Sequence, residues 1–301
     1  MAGLGVMMYY NNYMNSITFD INPHGAELSN LRMGEREYLW QGDPAFWGRR
    51  APILFPIVGK VAHDTLRVSG QEYAMKQHGF ARDADFELCP GSEDARYVLH
   101  APEGRPNYPF SFDLTATYKA DGDILTCQWT VINLGDRPMD FQIGAHPAFL
   151  LPDFDPADDV HGYIQCLDRE GKAIVPILDH YLIDGLRHPF KTPESLPTQD
   201  GLLPITDRTF AHDAFIIERG QVATTILFDK QGRQVLSVSC PQAEAFGLWA
   251  PAKPGCPFVC LESWCGIADS DNFNGDIAER DCNHHLLPGE TFDFCYRIQV
   301  F

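Results

Sequence analysis

The chain has 301 residues, 45% of them apolar, with 23 Lys and Arg against 41 Asp and Glu and a formal charge of −18. That apolar share excludes a disordered chain, and 25 Gly and 22 Pro without a period exclude a collagen-like one. The acidic excess opposes a broad phosphate-binding surface, so nucleic acid is not an expected partner, but it leaves a single buried site of either sign open.

Residues 1–14, MAGLGVMMYYNNYM, lack a basic start, a long apolar centre and a small-residue cleavage site, so they do not read as a signal peptide. Alternation over Ile17–Ile21, Glu27–Met33 and Glu37–Trp40 predicts strands. APILFPIVG at 51–59 is too short for a membrane span and is broken by proline, so no membrane partner is expected. The run ends in Lys60, which taken alone is a surface lysine at a turn. Ser69-Gly70 marks a hairpin. In QHGFARD at 77–83, His78 stands beside Gly79 and four residues before Arg82, a setting open to a structural or a catalytic histidine.

Phe110, Phe112, Leu114, Ala116 and Tyr118 share one strand face. After the Asp121-Gly122 turn, so do Leu125, Cys127, Trp129 and Val131. In FQIGAHPAFLLP at 141–152, His146 is the one ionisable residue in an apolar run, and a buried imidazole must find a partner or stay neutral. The Pro-rich stretch 186–204 reads as a long loop. FAHDAFII at 210–217 puts Asp213 just before an apolar strand, as a turn acid or a ligand. A second hairpin runs from Ala223 to Phe228, through Asp229–Gly232, and back over Val235 to Cys240.

In CPFVCLESWCGIAD at 256–269, alternation points Glu262 the same way as Phe258 and Cys260. A carboxylate among apolar neighbours is paired, functional or both. Trp249 and Trp264 offer aromatic faces to a core or a cleft. Cys256, Cys260 and Cys265 contain no CxxC element and read as small buried residues, so no metal site is expected. Nine cysteines, an odd number, suit reduced thiols in a cytoplasmic protein. Residues 277–285 suggest a short helix, and the adjacent His284 and His285 a solvated loop. Phe292, Phe294, Tyr296 and Ile298 alternate after the Pro288-Gly289 turn.

The pattern predicts an all-β antiparallel sandwich or large barrel, with few short helices and one domain over 1–301. There is no GxGxxG, Walker loop, GxSxG or HExxH, and no cofactor is expected.

PILFPIVGK at 52–60, HGFARD at 78–83, GAHPAF at 144–149, HDAFII at 212–217, CLESWCGIAD at 260–269 and LPGETFDFCYRI at 287–298 together resemble the aldose 1-epimerase (galactose mutarotase) family. The closer likeness is to its divergent branch, often encoded beside lactose-utilisation genes. The resemblance implies a large antiparallel β-sandwich holding a small-molecule sugar in a cleft on one concave sheet face. It assigns Glu262 as base and His146 as acid for opening and reclosing the ring of a free aldohexose. It also implies His78 as an oxygen-binding catalytic histidine and Asp213 as a hydroxyl ligand. Lys60 stands where the family often has Arg, which loses bidentate geometry but keeps the charge. GAHPAF replaces the Asn-His-Ser pattern of better-known galactose mutarotases, so their galactose preference does not carry over. Arg82, Trp249 and Trp264 complete the expected substrate contacts. Each of Glu262 and His146 is expected to hold the other in its charged form. Two further readings use the same scaffold: a non-catalytic carbohydrate sensor, and a hexose-6-phosphate mutarotase using Lys60, Arg49, Arg50 and Arg82 as a phosphate cluster. The sequence is silent on oligomeric state.

Overall fold

Two residues, Gly122 and Asp123, turn the strand Phe112–Asp121 into its antiparallel partner Ile124–Asn133. The register sets small Ala116 beside Trp129 on one side and Phe294 on the other, so the indole fits between neighbours without crowding. Trp129 and Phe294 stack at 5.1 Å. Each fully buried ring of this kind contributes roughly 1.5–3 kcal/mol. In a computed structural model that describes residues 16–92 and 94–301, this hairpin is the middle of a ten-stranded sheet. Thr291–Val300 pairs with Ile124–Asn133 and, on its other edge, with Gln234–Ser239, the return strand of the predicted second hairpin. The alternating residues of 112–131 and 292–298 supply the buried face, as their period of two requires.

A second, six-stranded sheet runs in the order Phe215–Ile217, Ala245–Trp249, Phe258–Cys265, Ile143–Ala145, Ile53–Leu54, with Ala148–Leu150 also paired to Phe258–Cys265. Val259 and Leu261 from this sheet join one continuous core with Trp129 and Phe294 from the other, which makes the fold an antiparallel β-sandwich. A smaller cluster of Leu54, Val58, Ile216, Ala245, Trp264 and Ile267 forms separately. Helix is confined, among the described residues, to the 3-10 turns Ala62–Asp64, Ala81–Asp83 and Ile277–Glu279. No helix among them is long and apolar enough to cross a membrane.

Three local expectations change. Residues 186–204 are a loop only over 196–202: Leu186–Ser195 is a strand paired with Ile177–Ile183, and Leu203–Ile205 is another. The ribbon is only two-stranded, so Pro189 and Pro193 withhold no ladder bond from a third strand. The expected helix over 277–285 shrinks to Ile277–Glu279, capped by Asp276 and Glu279. His284 and His285 belong to a strand, His284–Leu286, that pairs with Met139–Phe141 and turns the two rings to opposite sides. All nine cysteines are free, with Cys256, Cys260 and Cys265 buried as expected. The reading of residues 1–14 lies outside the described residues.

Candidate active site

The strand Phe258–Cys265 is buried along its whole length. Phe258, Cys260, Glu262 and Trp264 share one face of it. Beside it, Gly144 pairs with Trp264 and Ala148 with Cys260, and the same register carried through the gap sets His146 opposite Glu262. Pro147 has no N–H for the ladder, and the chain lifts at this point. His146 Nε2 lies 3.2 Å from Glu262 Oε2, with the two residues 6% and 1% exposed. On the other flank Gly247 faces Glu262. A Cβ at Gly247 would lie 2.6 Å from the Trp264 ring, and one at Gly144 2.7 Å from it. The two glycines therefore let the indole lie flat as a floor beside the pair.

His78 arrives from a separate segment in a left-handed conformation, φ 64°. Its N–H donates to the Gly59 carbonyl at 2.7 Å, and the Gly59 N–H donates back to His78 Nδ1 at 3.1 Å. With Nδ1 accepting, the neutral ring carries its proton on Nε2. Gly79 is required next, because a Cβ there would fall 2.1 Å from the Phe55 carbonyl oxygen. The His78 ring meets His146 edge-on at 5.4 Å. Burial, then the neighbouring His146 and Arg82, hold the His78 imidazole well below its ordinary pKa.

Trp47 stacks on His146 at 4.8 Å and 24°, and Trp249 closes the other side edge-on at 5.7 Å. Sequence reasoning missed Trp47. It sits in an irregular stretch with no periodicity, and its one signal is a large aromatic ring amid Gly, Pro and Arg.

These side chains line a cleft of about 260 Å³, with Arg82 and Asp213 at its rim. Arg82 donates to the Gln77 carbonyl at 2.6 Å and keeps a buried Nε without a partner. Burial and Arg49 pull its pKa down to about 10. Asp213 is exposed, in a left-handed conformation at φ 75°, and its carboxylate accepts the Ala214 N–H at 2.8 Å. Lys60 is not among the lining residues. It faces an adjoining groove of about 860 Å³, 3.9 Å from Asp64. Arg49 pairs with Asp83 at 2.7 Å, and Arg50 donates to the Ser29 carbonyl at 3.0 Å. Of the four cations read as a phosphate cluster, Lys60 and Arg82 share the adjoining groove, whereas Arg49 and Arg50 are held by these other partners.

The ribbon of Ile177–Ile183 and Leu186–Ser195, read as loop in its second half, brings Leu182 and Gly185 to the cleft. Its root is fixed by buried Arg187, which donates to Glu218 at 2.8 Å, Asp281 at 2.5 Å and the Ala268 carbonyl at 2.6 Å.

Electrostatically the pair departs from the expectation that each partner keeps the other charged. Burial, reinforced by Asp213, pushes the Glu262 carboxyl well above the usual range. Burial, reinforced by Arg82, pulls His146 down to about 3. Desolvation outweighs mutual attraction when both charges leave water. Both directions favour the neutral pair, a carboxylic acid against a neutral imidazole. The Trp264 indole N–H favours the ionised form of Glu262 without making a hydrogen bond of normal geometry. Glu262 Oε2, His146 Nδ1 and Trp264 Nε1 are buried and have no hydrogen-bond partner in the protein. The arrangement can accept and return a proton on a polar guest while apolar rings exclude water. His146, Cys260 and Glu262 also offer donor atoms within 4.8 Å of one another, which could hold a cation.

The sequence profile described as Aldose 1-epimerase matches residues 11–299. Protein LacX (plasmid) of Lactococcus lactis subsp. lactis is 27% identical, over 94% of this chain and 96% of that protein. A galactose mutarotase related enzyme from Lactobacillus acidophilus superposes with a TM-score of 0.88 at 30% identity, covering 99% of this chain and 97% of the other. A galactose mutarotase-like protein from Lactobacillus casei gives 0.87 at 26%, covering 99% and 100%.

Proposed function

The chain belongs to the aldose 1-epimerase family of carbohydrate isomerases, and from that premise we propose that it interconverts the α and β anomers of a free aldohexose bound in the His146–Glu262 cleft. The carrying observation is the 3.2 Å approach of His146 to Glu262 at the base of that cleft. A sugar binder has no need of an acid–base pair, whereas anomer exchange requires one proton taken from the C1 hydroxyl and one given to the ring oxygen.

Glu262 takes the C1 proton and His146 supplies the ring oxygen. The C1–ring-oxygen bond breaks, and the open aldehyde rotates about C1–C2. The same groups reverse roles on closure. Opening starts from carboxylate and imidazolium and ends on carboxylic acid and imidazole. Burial favours that second, neutral state. The desolvated cleft therefore favours the opened sugar, and hydrogen bonds from the sugar's hydroxyls must support the ionic state from which opening begins. His78, a fixed donor at Nε2, stabilises charge developing on the sugar oxygen. Arg82 and Asp213 hold outward hydroxyls, and Trp47, Trp249 and Trp264 give apolar surface to the ring's C–H faces. Lys60 reaches only a substituent that extends into the adjoining groove.

A neutral sugar suits the site better than a phosphorylated one, because Arg49 and Arg50 are committed elsewhere. The site draws on residues from 47 to 268, which supports reading 1–301 as one domain. Polarimetry of freshly dissolved α-glucose and α-galactose, with and without the protein, tests the proposal. Accelerated relaxation is expected; binding of these sugars without acceleration would leave a sensor in its place.

A further inference from the structure

The far end of the Glu262 strand carries a second cluster with different chemistry. Cys265 points to the face opposite Glu262 and Trp264. The Glu244 N–H donates to the Trp264 carbonyl at 2.8 Å, which brings its carboxylate alongside Cys265. His284 enters from the strand His284–Leu286, its ring against Phe292 at 4.4 Å. One donor atom each from Glu244, Cys265 and His284 lies within 4.8 Å of the others. Glu244 Oε2 and His284 Nε2 are 3.4 Å apart, yet both atoms are shielded from water and neither has a hydrogen-bond partner. Two facing unsatisfied atoms are costly, and a shared ion removes that cost. Glu244 also lines an open groove of about 770 Å³.

We propose that Glu244, Cys265 and His284 bind one borderline-soft divalent cation of the zinc type. Sulfur, imidazole nitrogen and carboxylate oxygen are the donors such an ion takes, and water closes a tetrahedral site as the fourth. The Cys265 thiol is held in the protonated form by burial. It therefore forms its metal–sulfur bond as its S–H bond breaks, and its proton leaves to solvent. The sequence offers no CxxC because the donors come from three separate segments that only the fold assembles. The ion would tie the end of the Glu262 strand to the residue preceding the strand Ala245–Trp249 and to the separate strand His284–Leu286.

The test is a cobalt titration of full-length, reduced, chelator-treated protein, followed by the thiolate-to-cobalt charge-transfer absorbance. A band that saturates at one equivalent and is bleached by zinc is expected. Cys265→Ser removes it, and Glu244→Gln or His284→Gln weakens cobalt affinity at least about tenfold. If Cys265→Ser fails to fold, the two partly exposed positions carry the test. Absence of the band overturns the proposal, as does a band that survives Cys265→Ser. A band lost in Cys260→Ser but unchanged in Glu244→Gln and His284→Gln also overturns it, because the cation then sits at His146, Cys260 and Glu262.

Discussion

His146→Asn removes a titrating group that the fold keeps uncharged, and the consequence is measurable in stability as well as in rate. The imidazole has an ordinary pKa of 6.5 and is held at about 3 in the cleft, chiefly by burial. The unfolded chain therefore binds a proton that the folded chain refuses. The stability contributed by the neutral ring is fully present above pH 6.5 and is lost as pH falls toward 3. The loss is about 1.4 kcal/mol per pH unit, which comes to about 3 kcal/mol by about pH 4 and about 5 over the whole interval. Asn has no such slope. Urea unfolding followed by tryptophan fluorescence, at pH steps from about 7.5 down to 4, gives the difference between the two proteins. That difference is expected to be flat above 6.5 and then to swing in favour of the variant. A constant offset at all pH values would refute the claim that the cleft excludes the charged imidazole.

Glu262→Gln is expected to slow mutarotation roughly 10²–10⁴-fold while calorimetry still detects sugar binding; full activity would remove Glu262 from the base role. The singly protonated pair is the working form, so kcat/KM should be bounded by one proton gained at His146 and one lost at Glu262. Its acid limb follows His146 at about 3, and its alkaline limb follows Glu262, displaced upward from the ordinary carboxyl value of 4.5. Polarimetry corrected for spontaneous exchange checks this, and limbs at 4.5 and 6.5 would contradict it. Gly247→Ala places a methyl 2.6 Å from the Trp264 ring, so the indole must tilt into the cleft. Sugar affinity should fall about tenfold or more with the protein still folded, and an unchanged KM would mean that Trp264 does not floor the sugar site.

The parts of this fold that a sequence reader can find are those whose burial repeats every second residue. Leu125, Cys127, Trp129 and Val131 announce a strand because each must face the core. Glu262 and His146 stand out for the opposite reason, as ionisable groups where an apolar residue would cost nothing. Trp47 has neither signal, since its place over His146 depends on an irregular segment meeting a distant strand. Residues 186–195 mislead because proline argues against a central strand but not against a two-stranded ribbon. The charge state of the His146–Glu262 pair is illegible for a deeper reason. Linear sequence can suggest that two groups are near each other, but the penalty for removing both from water depends on everything packed around them. The convergence of Glu244, Cys265 and His284 is hidden in the same way, by its origin in three distant segments.

His146 sits in the two-residue gap between Ile143–Ala145 and Ala148–Leu150, both paired to the strand of Glu262, so flanking strand register rather than a long loop sets the distance between the two groups. Asp213, Gly185 and Arg82, which border the cleft, stand on turns and ribbon instead. Over evolutionary time such a division lets a lineage redraw its menu of sugars by editing turns, with the reaction's timing left untouched. An engineer inherits the same freedom: transplanting the 182–187 ribbon tip or the 211–214 turn should change which guest is welcomed before it changes how fast an accepted one reacts.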